Sequence, residues 1–96
     1  MIKRYHIYVS GQVQGVGFRG FCMVHAQQLG LTGSVTNLDN GMVEIYVQGE
    51  PEKIDTFLSI IVKGDNFIHV MDYSIKEVPV VKGEKRFSYG WGSYYW

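Results

Sequence analysis

The pattern of apolar and polar positions divides the first third of the chain into a strand and a helix. Apolar and polar residues alternate over about 3–10, which predicts a strand with one buried face. Further on, apolar residues recur at helical spacing and predict a helix over about 19–29, and Gly30 is typical of the position just after a helix. The apolar positions behind these predictions are Tyr5, Ile7 and Val9 in the strand and Phe18, Cys22, Ala26 and Leu29 in the helix.

The rest of the chain continues with a hairpin, a second helix and two further strands. Two β-prone runs flank Asn40-Gly41, a dipeptide typical of hairpin turns. A second amphipathic helix opens with Pro51 in its first turn and ends at Gly64. The remaining β-prone runs cover about 68–78 and 86–89.

This order of elements, βαββαβ with a short last segment, predicts the α+β class. Two helices that both need an apolar surface fit best on one face of an antiparallel sheet, which is the ferredoxin-like two-layer sandwich. We expect one domain over 1–90 and an aromatic C-terminal tail over 91–96, WGSYYW. The tail either packs over a sheet edge, forms an exposed end of little consequence, or serves as a patch for a partner or a membrane interface.

The composition changes this picture mainly by excluding classes of function. With 96 residues and 46% hydrophobic content, the chain can bury one modest core. Nine basic and nine acidic residues give a formal net charge of zero, which argues against a broad phosphate-neutralising surface and so against a nucleic-acid partner. No apolar run approaches the length of a membrane span, and the N-terminus lacks a signal-peptide core, so we expect a cytoplasmic protein.

Few other residues suggest chemistry. The single cysteine, Cys22, cannot form an intramolecular disulfide, and its place on the helix favours a buried apolar role over a reactive thiol. The three histidines, His6, His25 and His69, have spacings that fit neither a metal site nor a catalytic triad. We therefore expect neither a metal nor a cofactor.

The stretch over 9–21, VSGQVQGVGFRGF, is the strongest candidate for a site. Three glycines, Gly11, Gly15 and Gly17, separate the first strand from the first helix, and Arg19 follows at once. Free N–H groups in a glycine loop and a helical first turn attract anions, and an arginine there matches phosphate or carboxylate. By itself, such a stretch fits equally well a turn that needs glycine beside a solvated Arg19.

Two stretches together resemble the signatures of the acylphosphatase family. The string GQVQGVGFR resembles the first signature, and GSVTNLDNGMVEIYVQG resembles the second. The resemblance covers about residues 5–89. The positions in register with the second signature are Gly33, Val35, Asn37, Gly41, Val43 and Gly49.

The resemblance implies a reaction and a set of residues. The family hydrolyses the carboxyl–phosphate anhydride bond of acyl phosphates to a carboxylate and inorganic phosphate, without a metal. Its catalytic arginine falls on Arg19 and its catalytic asparagine on Asn37, so that Asn37 would orient the attacking water. The substrate would be a small molecule, phosphate a product or inhibitor, and the protein a monomer without nucleic-acid or membrane partners. The residues expected to bind the phosphate are Gln14, Gly15, Val16, Gly17, Phe18 and Arg19.

The sequence departs from the family pattern at some positions, and it also allows other functions. Gly20 and Ser34 stand where the family usually has aromatic residues, which bears on the preferred acyl group. The alternative function is a non-catalytic ferredoxin-like module that binds an anion or RNA, with Tyr8 and Tyr46 as candidate stacking rings. A further rival is a similar domain acting in carbamoyl transfer, usually found at the head of a much longer chain.

Overall fold

The structure is a computed structural model that describes residues 1–90, and the predicted aromatic tail lies outside these residues. Every strand and helix predicted from the pattern is present, with ends that differ by no more than two residues. Of the two helices in residues 1–90, neither is long and apolar enough to cross a membrane. The elements are β1 (Lys3–Gln12), α1 (Phe18–Gln28), β2 (Thr32–Asn37), β3 (Val43–Gly49), α2 (Pro51–Lys63), β4 (His69–Val78) and β5 (Phe87–Tyr89).

The five strands form one sheet in the order β4-β1-β3-β2-β5. The four longer strands pair antiparallel, as predicted, and β5 pairs parallel with β2. The α+β ferredoxin-like fold is therefore confirmed, with a mixed rather than wholly antiparallel sheet. The difference arises because the chain after β4 crosses to the far side of the sheet and adds its last strand to the outer edge of β2.

Both helices cover the same face of this sheet. Each contributes three fully buried side chains, spaced three or four residues apart as an apolar helix stripe requires. The strands contribute the apolar half of their alternating pattern. The principal core residues are Phe18, Cys22, Ala26, Ile54, Phe57 and Ile61 from the helices and Ile7, Val9, Val35, Val43, Ile45, Val47 and Phe87 from the strands.

A short turn connects the end of α1 to the start of β2. Gly30 adopts φ 69°, the N–H of Leu31 donates to the carbonyl of Ala26 at 2.9 Å, and the N–H of Gly30 donates to Gln27 at 3.1 Å. This pair of bonds is a Schellman motif, which needs a left-handed residue at the position of Gly30. The tight turn sets β2 beside α1, so the end of β2 approaches the start of the helix.

Candidate active site

The loop between β1 and α1 exposes backbone N–H groups at one end of the sheet. Gly15 and Gly17 have φ of 73° and 83°, a conformation that other residues rarely adopt. Gly17 is the N-cap of α1 and, having no side chain, leaves the first turn without a side-chain cap. The N–H groups of that turn have no partners within the helix and lie at the positive end of its dipole. The loop is therefore suited to hold an anion.

A cavity of about 350 Å³ opens beside this loop and brings together Arg19 and Asn37. Arg19 lies in the first turn of α1, and Asn37 is the last residue of β2. The two residues come from different signature stretches, and the fold makes them walls of one space. Among the described residues, the lining consists of Val13, Gly15, Gly17, Phe18, Arg19, Gly20, Asn37 and Tyr89.

Asn37 carries a buried acceptor with no partner in the part of the chain that the structure describes. Its Oδ1 atom has almost no exposure to solvent and accepts no hydrogen bond from residues 1–90. An unsatisfied buried polar group costs about 1–3 kcal/mol. Such groups in folded proteins call for an explanation, and a position on the wall of an anion-binding cavity supplies one.

Two of the residues expected to bind phosphate lie away from this cavity. Val16 and the side chain of Gln14 line a neighbouring groove with Gly41. The Nε2 atom of Gln14 donates at 2.8 Å to the carbonyls of both Leu38 and Met42, which belong to the β2–β3 loop. The Gln14 side chain thus ties the glycine loop to the segment that follows Asn37.

Phe18 belongs to both the cavity wall and the core. Its side chain is 1% exposed and belongs to the core between the helices and the sheet. Of the six residues predicted to bind phosphate, the structure places Gly15, Gly17, Phe18 and Arg19 on the cavity wall.

Tyr89 is a cavity residue that the sequence reasoning missed. The Cζ atom of Arg19 lies 5.3 Å from the centre of the Tyr89 ring, within the range of a cation–π contact. The parallel pairing of β5 with β2 sets Tyr89 opposite Val35, two residues before Asn37. The available signal was an aromatic residue at the end of the last predicted strand, but the pattern of residues does not predict that β5 lies beside β2.

Other polar groups lie on the opposite face of the sheet. There the Nε2 atom of His6 lies 2.8 Å from a carboxylate oxygen of Glu44, and the His6 ring stacks on Tyr46 with 4.2 Å between ring centres. Partial burial, and then the Glu44 carboxylate, raise the pKa of Tyr8 above its usual 10.0. A cavity of about 640 Å³ on this side has Glu44, Tyr46 and Glu84 in its wall. It contains neither the glycine loop nor Asn37.

Cys22 is fully buried, as predicted, and burial raises the pKa of its thiol well above the usual value of 9.0. No group of three or more histidine, cysteine, aspartate or glutamate side chains within residues 1–90 is arranged to hold a metal ion.

The fold and the cavity define a two-layer α+β protein with an anion-binding loop at the start of its first helix. The acylphosphatase family model matches residues 5–89. The chain belongs to the acylphosphatase family, and its function is the hydrolysis of acyl phosphates with release of phosphate.

Individual relatives match the chain over almost its whole length. The acylphosphatase of Clostridium beijerinckii is 49% identical over 85 residues, which are 88% of this chain and 94% of the relative. The crystal structure of acylphosphatase from Bacillus subtilis has a TM-score of 0.87 and 38% identity, and the match covers 95% of this chain and all of that one. Full-length HypF in its phosphate- and nucleotide-bound form matches with a TM-score of 0.83 and 34% identity, over 94% of this chain and 12% of HypF. None of these similarities favours the RNA-binding or non-catalytic alternative.

Proposed function

We propose that Arg19 and Asn37 are the catalytic residues of this acylphosphatase and that the backbone N–H groups of Gly15, Gly17, Phe18 and Arg19 hold the phosphoryl group. The proposal rests above all on one observation. Asn37, whose buried Oδ1 atom has no hydrogen-bond partner among residues 1–90, lines the same cavity as Arg19 and the glycine loop. An acceptor that no side chain or backbone group within residues 1–90 occupies, on a residue beside an anion site, suits the positioning of an attacking water.

Arg19 would neutralise the phosphoryl oxygens and the charge that moves onto them during transfer. Phosphoryl transfer asks a protein mainly for positioning and for electrostatic stabilisation of the transition state. A guanidinium offers two parallel donors to two oxygens, whereas an ammonium offers a point charge. The N–H groups of the loop would share the same oxygens from the other side.

Asn37 would hold the attacking water through its Oδ1 atom, which has no partner among the described residues. An amide oxygen accepts a hydrogen bond from water without removing a proton, because an asparagine side chain is a very weak base. A phosphate oxygen of the substrate would take that proton as the new P–O bond forms. The P–O bond to the acyl group breaks and releases a carboxylate, a good leaving group, so the proposed reaction needs neither a metal nor a cofactor.

The proposal extends to the setting of the reaction. The protein acts as a cytoplasmic monomer on free small acyl phosphates, without a nucleic-acid or membrane partner. A formal net charge of zero supports the part concerning nucleic acids, because non-specific binding to a phosphate backbone depends on an excess of basic residues. The molar mass measured by light scattering on the peak that elutes from a gel-filtration column tests whether the protein is a monomer.

The deciding experiment measures the hydrolysis of benzoyl phosphate with a chelator present, for the wild type, Arg19→Ala and Arg19→Lys. We expect rapid hydrolysis by the wild type and a loss on the order of a thousandfold in Arg19→Ala, by analogy with other transition-state arginines. Arg19→Lys should also lose most of its activity, because it keeps the charge without the fork. Activity that disappears with the chelator in the wild type, or that survives in Arg19→Ala, would refute the proposal.

A further inference from the structure

We propose that Tyr89 determines which acyl groups this enzyme prefers, by providing the apolar wall against which the acyl part of the substrate packs. The preferred substrates would then be acyl phosphates with a flat, apolar acyl group, such as an aromatic one. The inference rests on the proposed binding of the phosphoryl group by Arg19 and the glycine loop.

The lining of the cavity leaves few surfaces for the acyl group. Gly15, Gly17 and Arg19 face the phosphoryl group in the proposed function, and Asn37 faces the water. Val13 and Phe18 are each 1% exposed, so their side chains present almost no surface to a ligand. Of the described residues in the wall, Gly20 and Tyr89 remain.

Of these two remaining wall residues, Tyr89 supplies the apolar surface through its ring. It is 49% exposed, although it lies over the guanidinium of Arg19. A ring held against the residue that binds the phosphoryl group is next to whatever is attached to that group. The acyl carbon is separated from the phosphorus by a single bridging oxygen, so an acyl substituent lies within reach of Tyr89.

Backbone hydrogen bonds hold Tyr89 in this place. The N–H of Gly33 donates to the carbonyl of Arg86 at 3.1 Å, and the N–H of Gly90 donates to the carbonyl of Val35 at 3.0 Å. These bonds flank the three-residue strand β5 and fix it to β2. The ring is thereby positioned before a substrate arrives, which lowers the entropic cost of packing an acyl group against it.

Gly20 keeps the cavity open beside the ring. Among residues 1–90, a Cβ atom at this position would have no neighbour within 4 Å outside the adjoining backbone, so no described side chain covers the wall here. A flat acyl group can therefore lie beside the helix without displacing a side chain. An aromatic acyl group should gain the most binding free energy there, because two aromatic rings attract each other in addition to the effect of the apolar area that they bury.

The test compares benzoyl phosphate with acetyl phosphate in the wild type, Tyr89→Leu, Tyr89→Phe and Tyr73→Leu. Tyr73 is a matched control, because it is 44% exposed on β4, at the opposite edge of the sheet. The measured quantity is the ratio of kcat/KM for the two substrates. Differences in intrinsic reactivity cancel when this ratio is compared between variants.

We expect Tyr89→Leu to lower the benzoyl-to-acetyl ratio by about fivefold or more, on the scale of an aromatic pair. Tyr89→Phe and Tyr73→Leu should keep the wild-type ratio. A second measurement needs no variant: phenylphosphonate should inhibit the wild type more strongly than methylphosphonate. An unchanged ratio in Tyr89→Leu, or equal inhibition by the two phosphonates, would overturn the inference.

Failure of the proposed function would look different. If Arg19→Ala hydrolysed both substrates as well as the wild type, the phosphoryl site would be elsewhere and both proposals would fall. If Arg19→Ala lost both activities while Tyr89→Leu kept the wild-type ratio, the roles of Arg19 and the loop would stand and the role of Tyr89 alone would be wrong.

Discussion

The side-chain amide of Gln14 donates a hydrogen bond to the backbone carbonyl of Leu38 at 2.8 Å. This contact joins the two signature stretches of the chain, because Gln14 lies in the glycine loop and Leu38 directly follows Asn37. The same Nε2 atom also donates to the carbonyl of Met42, so both hydrogens of the amide can be used on one loop. The Gln14 side chain thus helps to fix the position of the anion loop relative to the segment that follows Asn37.

Gln14→Glu should therefore damage catalysis without altering the size of the side chain. A carboxylate cannot donate, and it would face two carbonyl oxygens, so the two loops should separate. We expect kcat for benzoyl phosphate to fall by about tenfold or more and the free energy of unfolding by about 1–3 kcal/mol. Enzyme kinetics and urea unfolding measure the two effects.

Gln12→Glu is the control for the added charge. Gln12 is an exposed residue at the end of β1 in the same groove as Gln14. Both variants bring a negative charge near the glycine loop, but Gln12→Glu leaves the contact with Leu38 intact. An equal loss of kcat in the two variants would attribute the effect to charge instead of to the connection between the loops.

Alanine at Gly20 and at Gly17 should have opposite effects on stability. A Cβ atom at either position would meet no neighbour within 4 Å in the part of the chain that the structure describes, so crowding by these residues does not distinguish the two positions. Gly20 lies within α1 and has no positive φ, and Gly20→Ala should stabilise the fold by about 1 kcal/mol through helix propensity. Gly17 has φ 83°, and Gly17→Ala should destabilise it by about 1–2 kcal/mol.

Thermal unfolding measures both changes. For a domain of this size, 1 kcal/mol corresponds to a shift in Tm of about 4–8 °C. Gly20→Ala should also retain hydrolysis of acetyl phosphate, because its methyl group would contact none of the other side chains within residues 1–90. A lower Tm for Gly20→Ala would mean that the added methyl group is crowded in the cavity wall beside Tyr89, and would contradict this prediction.

The buried thiol of Cys22 should make the protein less stable at alkaline pH. Burial raises the pKa of this thiol in the folded state, whereas in the unfolded chain it ionises near the usual 9.0. Below pH 9 both states are protonated and the stabilising contribution is complete. Above pH 9 only the unfolded state ionises, so this contribution decreases by up to about 1.4 kcal/mol per pH unit.

Urea unfolding of the wild type and Cys22→Ala between pH 7 and 11 isolates this contribution. The difference in unfolding free energy between the two proteins should narrow as the pH rises above 9. A constant difference across this range would show that the thiol ionises equally in both states. Alkylation by iodoacetamide, expected only after unfolding, gives a second measure of the same burial.

Much of this fold could be predicted because each local signal agrees with the packing. The apolar stripe of α1 ends where Gly30 ends the helix, and the turn at Asn40-Gly41 lies between two paired strands. In the hairpin, Gly41 is the residue with positive φ, and its N–H donates to the carbonyl of Leu38 at 3.2 Å. The signature strings predict Arg19 and Asn37 as candidate site residues, because both have the spacing to nearby glycines that the family pattern has, and the two residues line one cavity.

The remaining features depend on contacts between distant parts of the chain. Strand β5 has only three residues, and its parallel pairing with β2 follows from where the preceding loop crosses the sheet. The position of Tyr89 beside Arg19 follows from that pairing, and the local sequence around Tyr89 does not predict it. Likewise, the spacing in the glycine loop does not show that Gln14 turns its amide toward the β2–β3 loop.

Asn37→Ala should lower activity and leave the protein at least as stable as the wild type. The substitution removes a buried acceptor that has no partner among the described residues, so no hydrogen bond within the protein is lost with that oxygen. If Asn37 holds the attacking water, kcat should fall by about a hundredfold or more, as when one transition-state hydrogen bond is removed elsewhere. The inhibition constant of inorganic phosphate should change little, because the loop and Arg19 remain.

Asn40→Ala is the matched control on the same hairpin. Asn40 is exposed, and its Oδ1 atom accepts a hydrogen bond from the N–H of Met42 at 3.0 Å, so its loss should affect the loop and leave kcat nearly unchanged. Measuring kcat, phosphate inhibition and Tm for both variants separates the roles of the two asparagines. If Asn37→Ala abolished phosphate binding, the residue would hold the phosphoryl group and not the water. If Asn37→Ala lowered Tm without changing kcat, the role of Asn37 would be structural. A catalytic residue with an unsatisfied polar group is expected to raise the rate and to lower the stability of the protein, so its removal should have the opposite effects.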